Sequence, residues 1–157
     1  MKKFLQLATA LIISHSAGII GSMFNILSLS TWYENLAKPV FNPPNWIFAP
    51  VWLLLYTLMG VALYFVWQKG LDKRNIRFAF MFFITHLFLN VFWSVAFFGL
   101  QNPFLALCVI AILWFMILAL ILMFFKIDKR ASYLLIPYLL WVSFAAVLNY
   151  SIWQLNI

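Results

Sequence analysis

Indole, phenol and amide side chains recur at helical spacing in three separate apolar stretches of this 157-residue chain. Trp52 and Tyr56 stand four apart, with Gly60 one turn further on. His86, Asn90, Trp93 or Ser94, and Phe97 follow one face of a second stretch. Trp141, Ala145 and Asn149 run in line along a third, flanked by Tyr138 and Tyr150. Residues three or four apart share one face of an α-helix. In hydrocarbon an amide or indole N–H without a partner is costly, so Asn90, Asn149, Trp52, Trp93 and Trp141 are expected to turn inward. Three such faces meeting around one space make an apolar box with aromatic walls and two or three amide donors, suited to a planar ligand. The competing reading is packing alone, in which the aromatics fill the bundle, and Trp67 and Trp153, at helix ends, belong to interfacial belts in either case.

Other chemistries are poorly supplied. Glu34, Asp72 and Asp128 all fall between the apolar stretches, which leaves no acid at membrane depth for a proton relay or sodium coordination. The sequence has no paired-carboxylate site, no Gly-rich phosphate loop and no Cys/His cluster, so neither a metal nor a required cofactor is expected. His15 and His86 lie on different stretches and read as hydrogen-bonded bundle residues. A hydrolytic triad cannot be assembled from any visible spacing. Cys108 is the single cysteine, cannot form an internal disulfide, and reads as a small core residue.

The elements that must hold these residues follow from composition. Hydrophobic residues make up 67% of the chain and charged residues 8%, far from the roughly one quarter charged in soluble domains. A helix needs about 20 apolar residues to cross a bilayer. Charge-free runs, with the longest cut at the Gly99 to Pro103 turn, give helices over 4–25, 46–67, 78–98, 104–125 and 132–153, and a lid loop over 26–45. The expected fold is all-α, an integral membrane five-transmembrane-helix bundle forming one domain over 1–157, with no sequence repeat of the kind inverted-repeat transporters carry. Lys2-Lys3 before an apolar run resembles a signal peptide, but the run is longer than a signal core and is read as the first helix. Ala10, Ser14, Gly18 and Ser22 give that helix a stripe of small residues, expected to pack within the bundle.

The net charge of +7 is a topology signal rather than a nucleic-acid footprint. Five spans place Lys2, Lys3, Lys69, Lys73, Arg74, Arg77, Lys126, Lys129 and Arg130 on one side and only Lys38 on the other. The positive-inside rule then sets the N-terminus in the cytoplasm and the 26–45 loop and C-terminus outside it, in what is expected to be a bacterial cell membrane. The segment from Thr31 to Trp52 on that outer side packs six large aromatics and four prolines into 22 residues. Such a segment presents rigid π-surfaces with little backbone entropy left to lose, as a lid over a flat ligand requires.

Several dispersed motifs agree in order and spacing with one family. They are Trp32-Tyr33-x-x-Leu36-x-Lys38-Pro39-x-x-x-Pro43-Pro44, then Trp52, then Leu89-Asn90-x-x-Trp93-Ser94-x-x-Phe97-Phe98-Gly99, and finally Pro137-Tyr138-Leu139-x-Trp141-x-x-Phe144-Ala145-x-x-Leu148-Asn149. Over nearly its whole length the chain resembles the TspO/translocator protein family, also called the peripheral benzodiazepine receptor or tryptophan-rich sensory protein family. The resemblance implies a five-helix bundle, usually a homodimer, that binds porphyrins such as protoporphyrin IX and benzodiazepine-type drugs in a pocket near the loop after helix 1. It also implies the residue roles: Tyr33, Pro43 and Phe48 as lid, Trp52, Tyr56, Trp93 and Trp141 as stacking walls, Asn90 as hydrogen-bond donor and Ala145 as close-approach floor. Lys38, the lone cation on that side, stands where it could meet a propionate.

A tetrapyrrole-binding sensor, regulator or passive shuttle is therefore the expected function, with porphyrin as ligand. The alternative is an enzyme that degrades protoporphyrin IX with light and oxygen, an activity attributed to bacterial members, in which Trp52 and Trp141 would take part and porphyrin would be substrate. A second alternative is sterol or lipid transport; the animal cholesterol motif, however, wants Arg or Lys after its Tyr, where Tyr150 is followed by Ser151-Ile152-Trp153-Gln154. The topology is testable directly. A cysteine placed at Asn35 in a Cys108-free background is expected to react with an impermeant maleimide on intact cells; labelling at Lys73 with protection at Asn35 would reverse the orientation.

Overall fold

A computed structural model describes residues 1–157, the side chain of residue 27 excepted. In chain order it contains α1 (Lys2–Leu29), a 3₁₀ turn at Tyr33–Asn35, α2 (Asn45–Trp67), α3 (Arg74–Ser94) continued by a π-helical turn at Val95–Gly99, α4 (Pro103–Ile127), α5 (Lys129–Leu134) and α6 (Ile136–Leu155). The five expected spans are present, the fifth made of α5 and α6 together. Large apolar side chains such as Ile12, Phe88, Phe115 and Leu140 point outward, where hydrocarbon rather than water accepts them.

Boundaries differ from the sequence expectation where local chemistry decides them. α1 continues to Leu29, because neither Gly nor Pro falls between Asn25 and Leu29, so the lid is confined to 30–44. Asn45 begins α2, and Pro50 lies inside that helix instead of stiffening the lid. The fifth span breaks at Leu135, immediately before the helix that carries Pro137 in its first turn, where a missing N–H costs nothing. Cys108, expected in the core, is exposed on α4; a thiol is apolar enough to face acyl chains.

The packing explains where space is left. α1 lies against α2 and α3, α4 against α3 and α6, and α2 meets the fifth span chiefly through α5. At the basic end these helices close over a core of Met59, Leu63, Val66, Phe83, Ile117, Leu120 and Phe124, all fully buried. Asp128 clamps that end. Its carboxylate caps α5 by accepting from the Arg130 backbone N–H at 3.0 Å, and it pairs with the Arg130 guanidinium at 2.9 Å and Lys69 Nζ at 3.1 Å. These partners, Arg130 foremost, hold the carboxyl well below the usual carboxylate range. Toward the opposite end α2 and α6 meet through aromatic side chains, and space is left open among them.

Small residues let α1 approach. Gly60 lies so near α1 that a Cβ there would come within 3.0 Å of the Leu11 Cα, and one on Gly18 would stand 2.5 Å from the Tyr56 ring. Ala10 and Ser14 of the small-residue stripe are wholly buried, so this face of α1 is used inside the bundle. Gly18→Ala is accordingly expected to displace Tyr56 and destabilise the protein by about 1–3 kcal/mol, visible as a lower thermal midpoint in detergent. An unchanged midpoint would contradict the close approach.

Candidate functional site

At mid-bundle, three helices are joined by one hydrogen-bonded chain. The Tyr56 hydroxyl of α2 donates to Asn90 Oδ1 of α3 at 2.6 Å, and Asn90 Nδ2 donates to the Tyr138 hydroxyl of α6 at 2.9 Å. All three residues are buried. The chain satisfies groups that would otherwise be stranded in hydrocarbon, and it fixes the rotation of each helix about its axis.

One turn toward the lid from each of these residues stands a tryptophan. Trp52 stacks on Tyr56 with ring centroids 5.4 Å apart and meets Tyr138 edge-on at 6.3 Å. Trp93 donates its indole N–H to Asn149 Oδ1 at 3.1 Å, and Asn149 Nδ2 in turn donates to the Pro103 carbonyl at 2.8 Å. Trp141 lies edge-to-face with Phe48 at 6.0 Å. Tyr33, Phe48, Trp52, Trp93, Trp141 and Ala145 line one cavity of about 100 Å³. Tyr56 and Asn90 line an adjoining cavity of about 410 Å³ between α1, α2 and α3. The two share Asn25, Leu29, Asn45, Phe48, Trp52 and Trp93 as walls. Taken together they reach the range of roughly 300–1,000 Å³ typical of small-molecule sites.

The lid covers this space from the open end. Tyr33 is 4% exposed, packs against Phe98 at 5.7 Å and donates its hydroxyl to Asn42 Oδ1 at 3.1 Å. Burial pushes its phenol above the ordinary value, so it remains a neutral donor at physiological pH. Lys38 Nζ lies 4.7 Å above the Tyr33 ring, donates to the carbonyls of Glu34 and Leu36, and lines neither cavity. Pro43 accepts from Asn42 Nδ2 through its carbonyl and lines neither cavity. The lid is tied down at the C-terminus, where the Asn156 carboxamide accepts from the Ala37 N–H and donates to the Ala37 carbonyl, both at 2.9 Å.

Several wall residues carried no site role in the sequence reading. The π-helical turn at Val95–Gly99 inserts one extra residue per turn and brings both Phe97 and Phe98 to the cavity wall. The Ser28 hydroxyl of α1 donates to the Phe98 carbonyl at 2.6 Å, occupying an acceptor that the turn takes out of regular helical bonding. Asn25 lines both cavities from α1, and its Oδ1 is buried without a hydrogen-bond partner; the indole N–H of Trp141 is in the same condition. An amide one turn before the end of α1 is the available signal in the sequence.

Comparison with known proteins agrees with this architecture. A model of the TspO/MBR family matches residues 9–154. A "Tryptophan-rich protein TspO" of Chlorobaculum tepidum is 43% identical over 99% of this chain and 98% of its own length. A protein of the same name from Archaeoglobus fulgidus is 43% identical over 97% of each. A "Translocator protein" of Bos taurus is 34% identical over 88% of this chain and 83% of its own. Five apolar membrane-crossing helices, the dispersed tryptophans and a match over nearly the full length lead to one conclusion: this chain is an integral membrane protein that belongs to the TspO/MBR family.

Proposed function

We propose that the protein binds tetrapyrroles such as protoporphyrin IX, and similar planar apolar molecules, in the space between the lid and the Tyr56–Asn90–Tyr138 chain, acting as a sensor, regulator or passive shuttle. The observation that carries this reading is that the indoles of Trp52, Trp93 and Trp141, from three helices, bound one cavity together with Tyr33 and Phe48. Flat apolar walls reward a flat apolar ligand: an aromatic side chain buries 150–250 Å², roughly 4–6 kcal/mol as an upper bound at 25 cal/mol per Å². Such a surplus survives the cost of association and supports micromolar binding or better. The lid, on the side with one lysine, faces away from the cytoplasm in this reading.

Within the site the roles divide by geometry. Trp52 and Trp141, both on the cavity wall, would serve as stacking surfaces, and Ala145 keeps the wall low enough for a ring to approach. Asn90 has both its oxygen and one N–H engaged by tyrosines and retains a single N–H for a ligand. Lys38 would have to leave the Glu34 and Leu36 carbonyls to meet a propionate at the mouth.

Titrating protoporphyrin IX into the purified protein is expected to quench tryptophan fluorescence saturably. Trp52→Ala and Trp141→Ala are each expected to weaken binding by about tenfold, or ~1.4 kcal/mol. Quenching that does not saturate, or affinities indifferent to both substitutions, would overturn the assignment.

A further inference from the structure

The basic side chains at the end opposite the lid are not equally engaged. Lys69 and Arg130 are paired with Asp128, and Lys129 lies over the Phe125 ring at 5.3 Å. Arg74 and Arg77, one turn apart on α3, enter none of the ion pairs or cation–ring contacts of the described residues. Both are exposed, and they line one open groove with Asn75, Phe78 and Met81. No carboxylate is placed to neutralise them. Glu34 belongs to the lid, Asp128 is committed, and Asp72 lies against Gly70 and lines a different groove with Lys2 and Lys3. Beyond the arginines the same exposed face runs through Phe78, Met81, Thr85 and Phe88, and Thr85 turns its hydroxyl back to the Met81 carbonyl at 3.1 Å. At 1.5 Å per residue the strip from Arg77 to Phe88 is about 16 Å long, the depth of one leaflet of hydrocarbon.

We infer that this face of α3 is a docking site for an anionic glycerophospholipid of the leaflet at the basic end, with Arg74 and Arg77 holding its phosphate and Phe78, Met81 and Phe88 lying along an acyl chain. Charge complementarity and shape both select this occupant. Two planar guanidiniums offer paired N–H donors to phosphate oxygens, and in the low dielectric of the interface such contacts are strengthened. A free phosphate would satisfy the arginines and leave the apolar strip unused. A second copy of the chain, inserted with the same topology and meeting this face symmetrically, would bring four guanidiniums together with no acid between them. A lipid with a phosphate at one end and an acyl chain at the other answers both halves of the face. The site lies on the outer surface, at the end away from the two cavities, and does not depend on what they bind.

The test is native mass spectrometry of the full-length protein in detergent, equilibrated with equal amounts of phosphatidylglycerol and phosphatidylcholine carrying the same acyl chains. The unsubstituted protein is expected to retain phosphatidylglycerol about tenfold over phosphatidylcholine, the effect of two basic residues near a membrane surface. In Arg74→Gln/Arg77→Gln the preference should fall to about twofold or less. Lys126→Gln/Lys129→Gln, which removes the same charge elsewhere at that end, should keep it, and an unchanged thermal midpoint reports an intact fold in each. Arg74→Lys/Arg77→Lys preserves the charge without the planar fork and is expected to retain part of the preference, about threefold. Excess sn-glycerol 3-phosphate, a headgroup without chains, should not displace the lipid. Equal retention of the two lipids by the unsubstituted protein, or an equal loss of preference in both glutamine variants, would overturn the site. Displacement by sn-glycerol 3-phosphate would make it an ion site and overturn the lipid assignment. An altered ratio of dimer to monomer in Arg74→Gln/Arg77→Gln, with lipid retention unchanged, would assign the face to a second copy instead.

Discussion

The structure depends on a constraint that water never relaxes: inside a bilayer every polar group must find its partner within the protein. The Tyr56–Asn90–Tyr138 chain is how this sequence meets that constraint at mid-bundle. It ties α2, α3 and α6 in register, and because Trp52, Trp93 and Trp141 each lie about one turn lidward of a member, the register of the chain becomes the register of the aromatic walls. Losing Asn90 would strand two buried hydroxyls and free three helices to rotate, so its weight in the structure exceeds that of one hydrogen bond.

The two ends of the bundle are built for different purposes. At the basic end, fully buried aliphatic and aromatic side chains fill the interior, and Asp128 links two loops through Lys69 and Arg130. At the lid end, rings that touch edge-on or in offset stacks replace close aliphatic packing. Rings meeting at such angles leave gaps that a planar molecule can enter. The lid closes that end by packing Tyr33 on Phe98, within a buried cluster that also holds Phe97 and Leu148, and by the paired bonds between Ala37 and Asn156.

How far the sequence revealed this can be traced residue by residue. The five spans were legible because apolar length and charge placement are read directly, and the inward faces of α2, α3 and α6 because polar residues at helical spacing in hydrocarbon have only one favourable direction. The π-helical turn at Val95–Gly99 was not legible, since a five-residue bonding step leaves no periodic mark, and so Phe98 was given no place on the inward face. The commitment of Asn90 to tyrosines could not be read either: spacing places an amide on a face but does not say which partner reaches it first. Asn25 was missed for a related reason, because in α1 the pattern of small residues dominated and a lone amide near its end looked like a boundary.

The central claim is that indoles from α2, α3 and α6 enclose one chamber that receives a planar ligand beneath the lid. An experimental structure of the protein with protoporphyrin IX bound tests it most directly. The account predicts a macrocycle lying between Trp52 and Trp141 with Tyr33 above it; a macrocycle seated on the lipid-facing surface, with the chamber still closed, would contradict it.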